Sequence, residues 1–71
     1  MLKYSGELEM IVCGAHVAGC MEQSGEIDTS TDMELMEFLV KICNEYNRSY
    51  ELMEGFAEYA ERRLLEKFKI D

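Results

Sequence analysis

Residues 32–69 read DMELMEFLVKICNEYNRSYELMEGFAEYAERRLLEKFK, a run with no proline and no turn dipeptide in which helix formers dominate. In its first part Leu35, Leu39, Ile42 and Tyr46, joined by Met36, Phe38 and Cys43, recur at three- and four-residue steps. Glu34, Glu37, Lys41 and Glu45 hold the opposite face, which is the period of an amphipathic helix. Thr31 stands ahead of this stretch as a cap, and Glu34 follows three positions later, the pattern of a capping box. The spacing predicts a helix over 32–46.

The pattern resumes with Tyr50, Met53, Phe56, Ala57, Ala60, Leu64 and Phe68, opposed by Glu51, Glu54, Glu58, Glu61 and Arg62. Arg63, Lys67 and Lys69 fall at the end of the run, where the helix dipole favours cations. A second helix over 49–69 is expected, with Asn47 in the left-handed conformation closing the first and Ser49 capping the next. The two stripes are almost in phase, so one helix of roughly forty residues is the alternative. A break is favoured because a folded hairpin shields its own stripe, whereas a single long rod needs a partner.

Upstream, residues 1–23 are poor in charge and rich in small side chains, and a helix is expected over 5–23. Met10, Cys13, Val17, Cys20 and Met21 cluster on one side, with Leu8, Val12 and Ala15 on the other. Such a helix is buried on more than one side. Gly14, Ala15, Ala18 and Gly19 permit close backbone approach, although glycine weakens a helix by about 1 kcal/mol relative to alanine. A short β-hairpin around Ile11–Val17 is the competing reading. Residues 24–31 form a polar, turn-prone linker. The expected architecture is therefore all-α, a single domain of about three helices.

The chain has 71 residues, 15 of them acidic and 7 basic, for a formal charge of −8. Hydrophobic residues make up 48%, too many for an acidic disordered tail. A chain this short buries only about 60% of its unfolded surface, so its core needs help. Disulfides are a poor source, since Cys13, Cys20 and Cys43 are odd in number and residues 1–7 lack the basic start and apolar run of a secretory signal. Reduced thiols and a cytoplasmic location are expected. No apolar stretch approaches the roughly 20 residues of a membrane span. Homodimerisation is the expected source of extra buried area, through Met10, Cys13, Gly14, Val17, Ala18 and Met21.

Few residues suggest chemistry. Cys13-x-x-His16-x-x-x-Cys20, with Cys43 from the next helix, offers zinc-type ligands. Three ligands from successive turns of one helix converge poorly on a tetrahedral ion, and small buried thiols explain the cysteines as well. Asp28-x-Ser30-x-Asp32 has the oxygen spacing of a calcium loop's start, but Met33 and Leu39 stand where the loop needs glycine and a bidentate glutamate. No metal or cofactor is expected. The single histidine has no recognisable nucleophile partner, no Gly-rich loop follows a strand, and a domain this small has little room for a closed pocket. No enzymatic activity is expected.

The acidic row is the most informative feature. Glu51, Glu54, Glu58 and Glu61 recur at three, four and three residues, so on the 49–69 helix they line one ridge, about 4.5–6 Å apart along the axis. That is near the spacing of phosphates on a nucleic-acid strand, although a solvated face explains an acidic row too. Charge is also lopsided, with 13 acids against 3 bases in residues 1–61 and 4 bases against 2 acids in residues 62–71. An acidic surface excludes direct nucleic-acid binding, which needs a basic stripe, and steers a protein toward basic surfaces. The expectation is an acidic protein-binding module, an inhibitor or antitoxin- or immunity-like protein that mimics nucleic acid. It would block a basic nucleic-acid-handling partner, such as a phage-defence nuclease complex, by analogy of size and charge alone. Glu51, Glu54, Glu58 and Glu61 are the expected contacts, with Tyr59 as aromatic anchor. The alternative is a structural subunit that self-associates through its apolar stripes.

Overall fold

The computed structural model describes residues 5–29, 31–49 and 53–70. Three helices, α1 (Ser5–Gln23), α2 (Asp32–Arg48) and α3 (Phe56–Phe68), each pack against the other two. No strand occurs among the described residues, and α1 runs unbroken through Ile11–Val17, which excludes the hairpin reading there. Among the described residues no helix is long and apolar enough to cross a membrane.

Local chemistry sets each boundary. α1 ends where Gly25 takes φ +79°, a conformation that disfavours side chains. Around it Glu26 N–H donates to the Met21 carbonyl at 2.9 Å and Gly25 N–H to the Glu22 carbonyl at 3.1 Å, the paired bonds of a Schellman cap. The following turn is then fastened to the far end of the chain. Asp28 N–H donates to the Phe68 carbonyl and Ile70 N–H to the Glu26 carbonyl, which makes a single antiparallel bridge between Ile27 and Lys69. Ile27 is fully buried beneath it. α2 begins as its sequence indicates, with Thr31 Oγ1 accepting from Glu34 N–H at 3.1 Å.

The connection between α2 and α3 departs from the sequence reading. The two helices are separate, but Asn47 stays inside α2, and no described residue other than glycine has positive φ. Ser49 is extended and closes α2 instead of capping α3, whose own N-cap is Gly55. Helix formation therefore resumes seven residues later than position 49. Met53, expected in the apolar stripe, is 97% exposed, and Tyr50 lies outside the described residues. The physical reason is local. A continued helix would carry Gly55 at about 1 kcal/mol and stack Glu51, Glu54 and Glu58 at repelling distances. Breaking before Phe56 lets Glu54 fold back onto Arg62 instead.

The core joins Ala18 and Met21 of α1, Phe38, Leu39 and Ile42 of α2, and Tyr59, Ala60, Leu64 and Phe68 of α3. Phe38 and Phe68 meet edge to face with centroids 5.5 Å apart, and Tyr46 does the same with Phe56 at 5.3 Å. Gly14 packs closely against α2: a Cβ there would lie 2.7 Å from Leu39 Cδ2. Gly14, Ala18 and Met21 are buried and Met10, Cys13 and Val17 half-buried, with Met10 Sδ 3.8 Å from Cys43 Sγ. The small-residue face assigned to a dimer contact is thus covered within the chain, because α2 and α3 fold back over it.

Candidate functional site

The acids do not form the ridge that a continuous helix would give. Glu51 lies outside the described residues, and Glu54 precedes the N-cap of α3. Glu54 is also engaged: Arg62 Nη2 donates to its Oε2 at 2.7 Å, and its backbone carbonyl accepts from the Tyr46 hydroxyl at 2.8 Å. That bond to Glu54 is the main reason Arg62 holds its proton more tightly than an ordinary guanidinium. Tyr59 is likewise unavailable as a surface anchor. It is only 6% exposed and packs on Tyr46, so its ring belongs to the core.

Tyr59 belongs instead to a polar cluster between α2 and α3. Arg63 Nη1 binds the Glu45 carboxylate and donates to the Tyr59 hydroxyl at 2.7 Å, and that hydroxyl donates to Glu45 Oε1 at 3.2 Å. The Arg63 hydrogen bond is the largest influence holding the Glu45 carboxyl below its ordinary 4.5. This cluster ties α3 to α2 through Glu45, which remains partly exposed.

Glu58 and Glu61 are exposed, and the fold gives them new neighbours. They line an open groove of about 540 Å³ together with Glu26, Glu66, Arg62, Leu65 and Lys69. Steps of three and four residues put Glu58, Glu61, Arg62, Leu65 and Glu66 along one side of α3, with Lys69 just past its end as the C-cap. Glu26 arrives from the α1–α2 turn, held there by the Ile27–Lys69 bridge, and its Oε2 accepts from the Ser24 hydroxyl at 2.7 Å. Arg62 is committed to Glu54, while Glu66 shares Arg63 at 3.2 Å. Four carboxylates thus face one groove, against Arg62 and Lys69. Sequence reasoning missed Glu26 and Glu66. Glu66 was visible as the continuation of the Glu58 and Arg62 row, whereas Glu26 comes from a distant turn and gave no signal.

The ligand-type side chains do not converge. Cys20 Sγ and His16 Nε2 are 3.8 Å apart on the exposed side of α1, Cys13 is half-buried, and Cys43 is buried beside Met10. Among the described residues no group of three or more His, Cys, Asp or Glu side chains is placed to hold a metal ion. No family model, curated protein or solved structure matches this chain.

Proposed function

We propose that this chain is an acidic protein-binding module that docks a basic, nucleic-acid-handling partner and inhibits it. The observation that carries the reading is the groove in which Glu26, Glu58, Glu61 and Glu66 come together on a molecule of formal charge −8. Carboxylates grouped on an open surface present a field to an approaching cationic patch, and that field raises association rates more than it tightens the final complex. The contact set differs from the one expected from sequence: Glu58 and Glu61 remain, Glu26 and Glu66 join them, and Glu54 leaves to bind Arg62. The partner occupies the groove with arginine or lysine side chains that otherwise contact phosphates. The competing reading, self-association through apolar stripes, would have to use the exposed Leu8, Val12, Met36 and Val40, because the inner residues of those stripes pack within the chain.

Affinity capture from the native host followed by mass spectrometry tests the proposal, with Glu58→Lys/Glu61→Lys as the control. Both positions are exposed, so the fold survives the change. Capture of a basic protein by the native chain, lost with the charge-reversed variant, supports the reading. Equal capture by both chains refutes the groove as docking surface.

A further inference from the structure

Of the four ligand-type side chains, two come to the same point of the surface. His16 and Cys20 lie four residues apart on α1, so one turn of helix stacks them on the same side. Cys20 Sγ is 3.8 Å from His16 Nε2, and both residues are exposed. A tetrahedral zinc ion, with a Zn–S bond of about 2.3 Å and a Zn–N bond of about 2.0–2.1 Å, holds its sulfur and nitrogen roughly 3.6 Å apart. The pair therefore stands close to one edge of such a tetrahedron with the helix left as it is. Apart from each other, neither side chain has a hydrogen-bond or ion-pair partner among the described residues.

Zinc takes two more donors, and the described residues of one chain do not supply them. Cys13 is half-buried, Cys43 is buried beside Met10, and no third ligand-type side chain joins the pair. A two-fold axis through the ion brings the same thiol and imidazole from a second copy. The resulting set of two sulfurs and two nitrogens is one that closed structural zinc sites use. The surface around the pair admits a second α1. Residues 10–21 contain no charged side chain, on a chain of formal charge −8. Of the flanking acids, Glu22 is tied to the Thr29 hydroxyl, and Glu9 stands seven residues, about 10 Å, before His16. Ala15 and Gly19 beside the pair are exposed, and a Cβ on Gly19 would meet nothing within 4 Å, so the backbone there is open to close approach.

We infer that His16 and Cys20 form half of a zinc site, completed by the same two residues of a second copy, and that zinc joins two chains across α1. On binding, the two thiols release their protons to solvent, each of the four ligand atoms donates an electron pair, and no electron is transferred. The two thiolates offset the ion's charge, so the net charge of the two chains is unchanged. Without the ion, two chains of charge −8 repel, which makes the association zinc-dependent. The inference is independent of the acidic-groove reading and uses none of its residues.

The full chain, kept reduced with a phosphine, is titrated with zinc chloride and followed by sedimentation, and cobalt(II) chloride serves as a coloured substitute. Binding of about one zinc per two chains is expected, with dimers that a chelator returns to monomers. Cobalt is expected to give the strong visible absorption of a tetrahedral ion and a thiolate-to-metal charge-transfer band. His16→Ala and Cys20→Ser are each expected to weaken zinc binding by about tenfold or more and to abolish the dimer. Cys13→Ser and Glu58→Gln/Glu61→Gln are expected to match the native chain, and circular dichroism checks that each variant keeps its helices. Zinc affinity unchanged by His16→Ala or by Cys20→Ser overturns the inference. Loss of zinc binding with Glu58→Gln/Glu61→Gln alone also overturns it, because the ion then sits in the acidic groove. One zinc per chain without dimerisation refutes the role of the second copy, and a dimer that persists in chelator shows that the copies meet elsewhere, which contradicts the inference.

Discussion

The inward side of α1, at Gly14, Ala18 and Met21, is closed by the rest of the chain, whereas its outward side, at Leu8, Val12 and Ala15, stays open. The two sides differ little in apolar character, so composition alone does not explain their fates. What separates them is the size of the side chains and the number of helices available. Small residues on the inward side let α2 approach so closely that a side chain at Gly14 would collide with Leu39. Among the described residues α2 and α3 are the helices that cover it, and they leave part of its circumference open.

Substitutions test this contrast most sharply in the core. Leu64→Ala removes a fully buried side chain and is expected to lower unfolding free energy by about 2–5 kcal/mol in urea titration. A loss below about 1 kcal/mol would show that the interior is loosely packed. Next comes Gly14→Ala. The added methyl improves helix propensity by about 1 kcal/mol but meets a buried Leu39, and overpacking of that kind costs about 1–3 kcal/mol. A net loss of about 1 kcal/mol is expected. Gly19→Ala on the same helix has nothing within 4 Å of the new atom, so it should raise stability by about 0.5–1 kcal/mol. Two glycines five residues apart thus respond with opposite signs, and equal responses would deny the inward–outward distinction. On the open side, Val12→Gln is expected to change stability by less than about 0.5 kcal/mol.

Much of the three-helix arrangement was legible because α2 carries its signals locally. Thr31, Glu34 and the Leu35–Leu39–Ile42 spacing needed no tertiary information, and α3 showed a clear period, whereas α1, apolar on both sides, left a β-hairpin as a competing reading. The start of α3 was not legible. Tyr50, Met53 and Phe56 continue a helical period, and only Gly55 and the accumulating carboxylates oppose it, a balance decided by the fold-back of Glu54 to Arg62. The acidic site was half legible for the same reason. Glu58 and Glu61 lie on one helix, but Glu26 joins them only through the bridge between Ile27 and Lys69. The residues assigned to a dimer face show the limit of periodicity, which tells which residues seek burial and not what covers them: Gly14, Ala18 and Met21 are buried within the chain itself.

The Arg63 cluster provides the smallest of the expected effects, seen through pH. Its bond to Arg63 depresses the Glu45 carboxyl below 4.5 in the folded protein. The pair's contribution is therefore present above about pH 4.5 and fades as pH falls through the lower folded value. Glu45 is partly exposed, so solvent screens the pair and the contribution is modest. The stability difference between the native chain and Glu45→Gln, taken from urea midpoints, should shrink between about pH 6 and pH 3. A difference that stays constant over that range would mean Arg63 does not favour the ionised carboxylate.

Association kinetics with the captured partner test the acidic groove most directly. The on-rate of the native chain is predicted to fall by about tenfold or more between about 50 mM and 500 mM salt. Glu58→Lys/Glu61→Lys should be slow at both concentrations. An on-rate indifferent to salt, and equal for the two chains, would contradict an electrostatic role for Glu26, Glu58, Glu61 and Glu66.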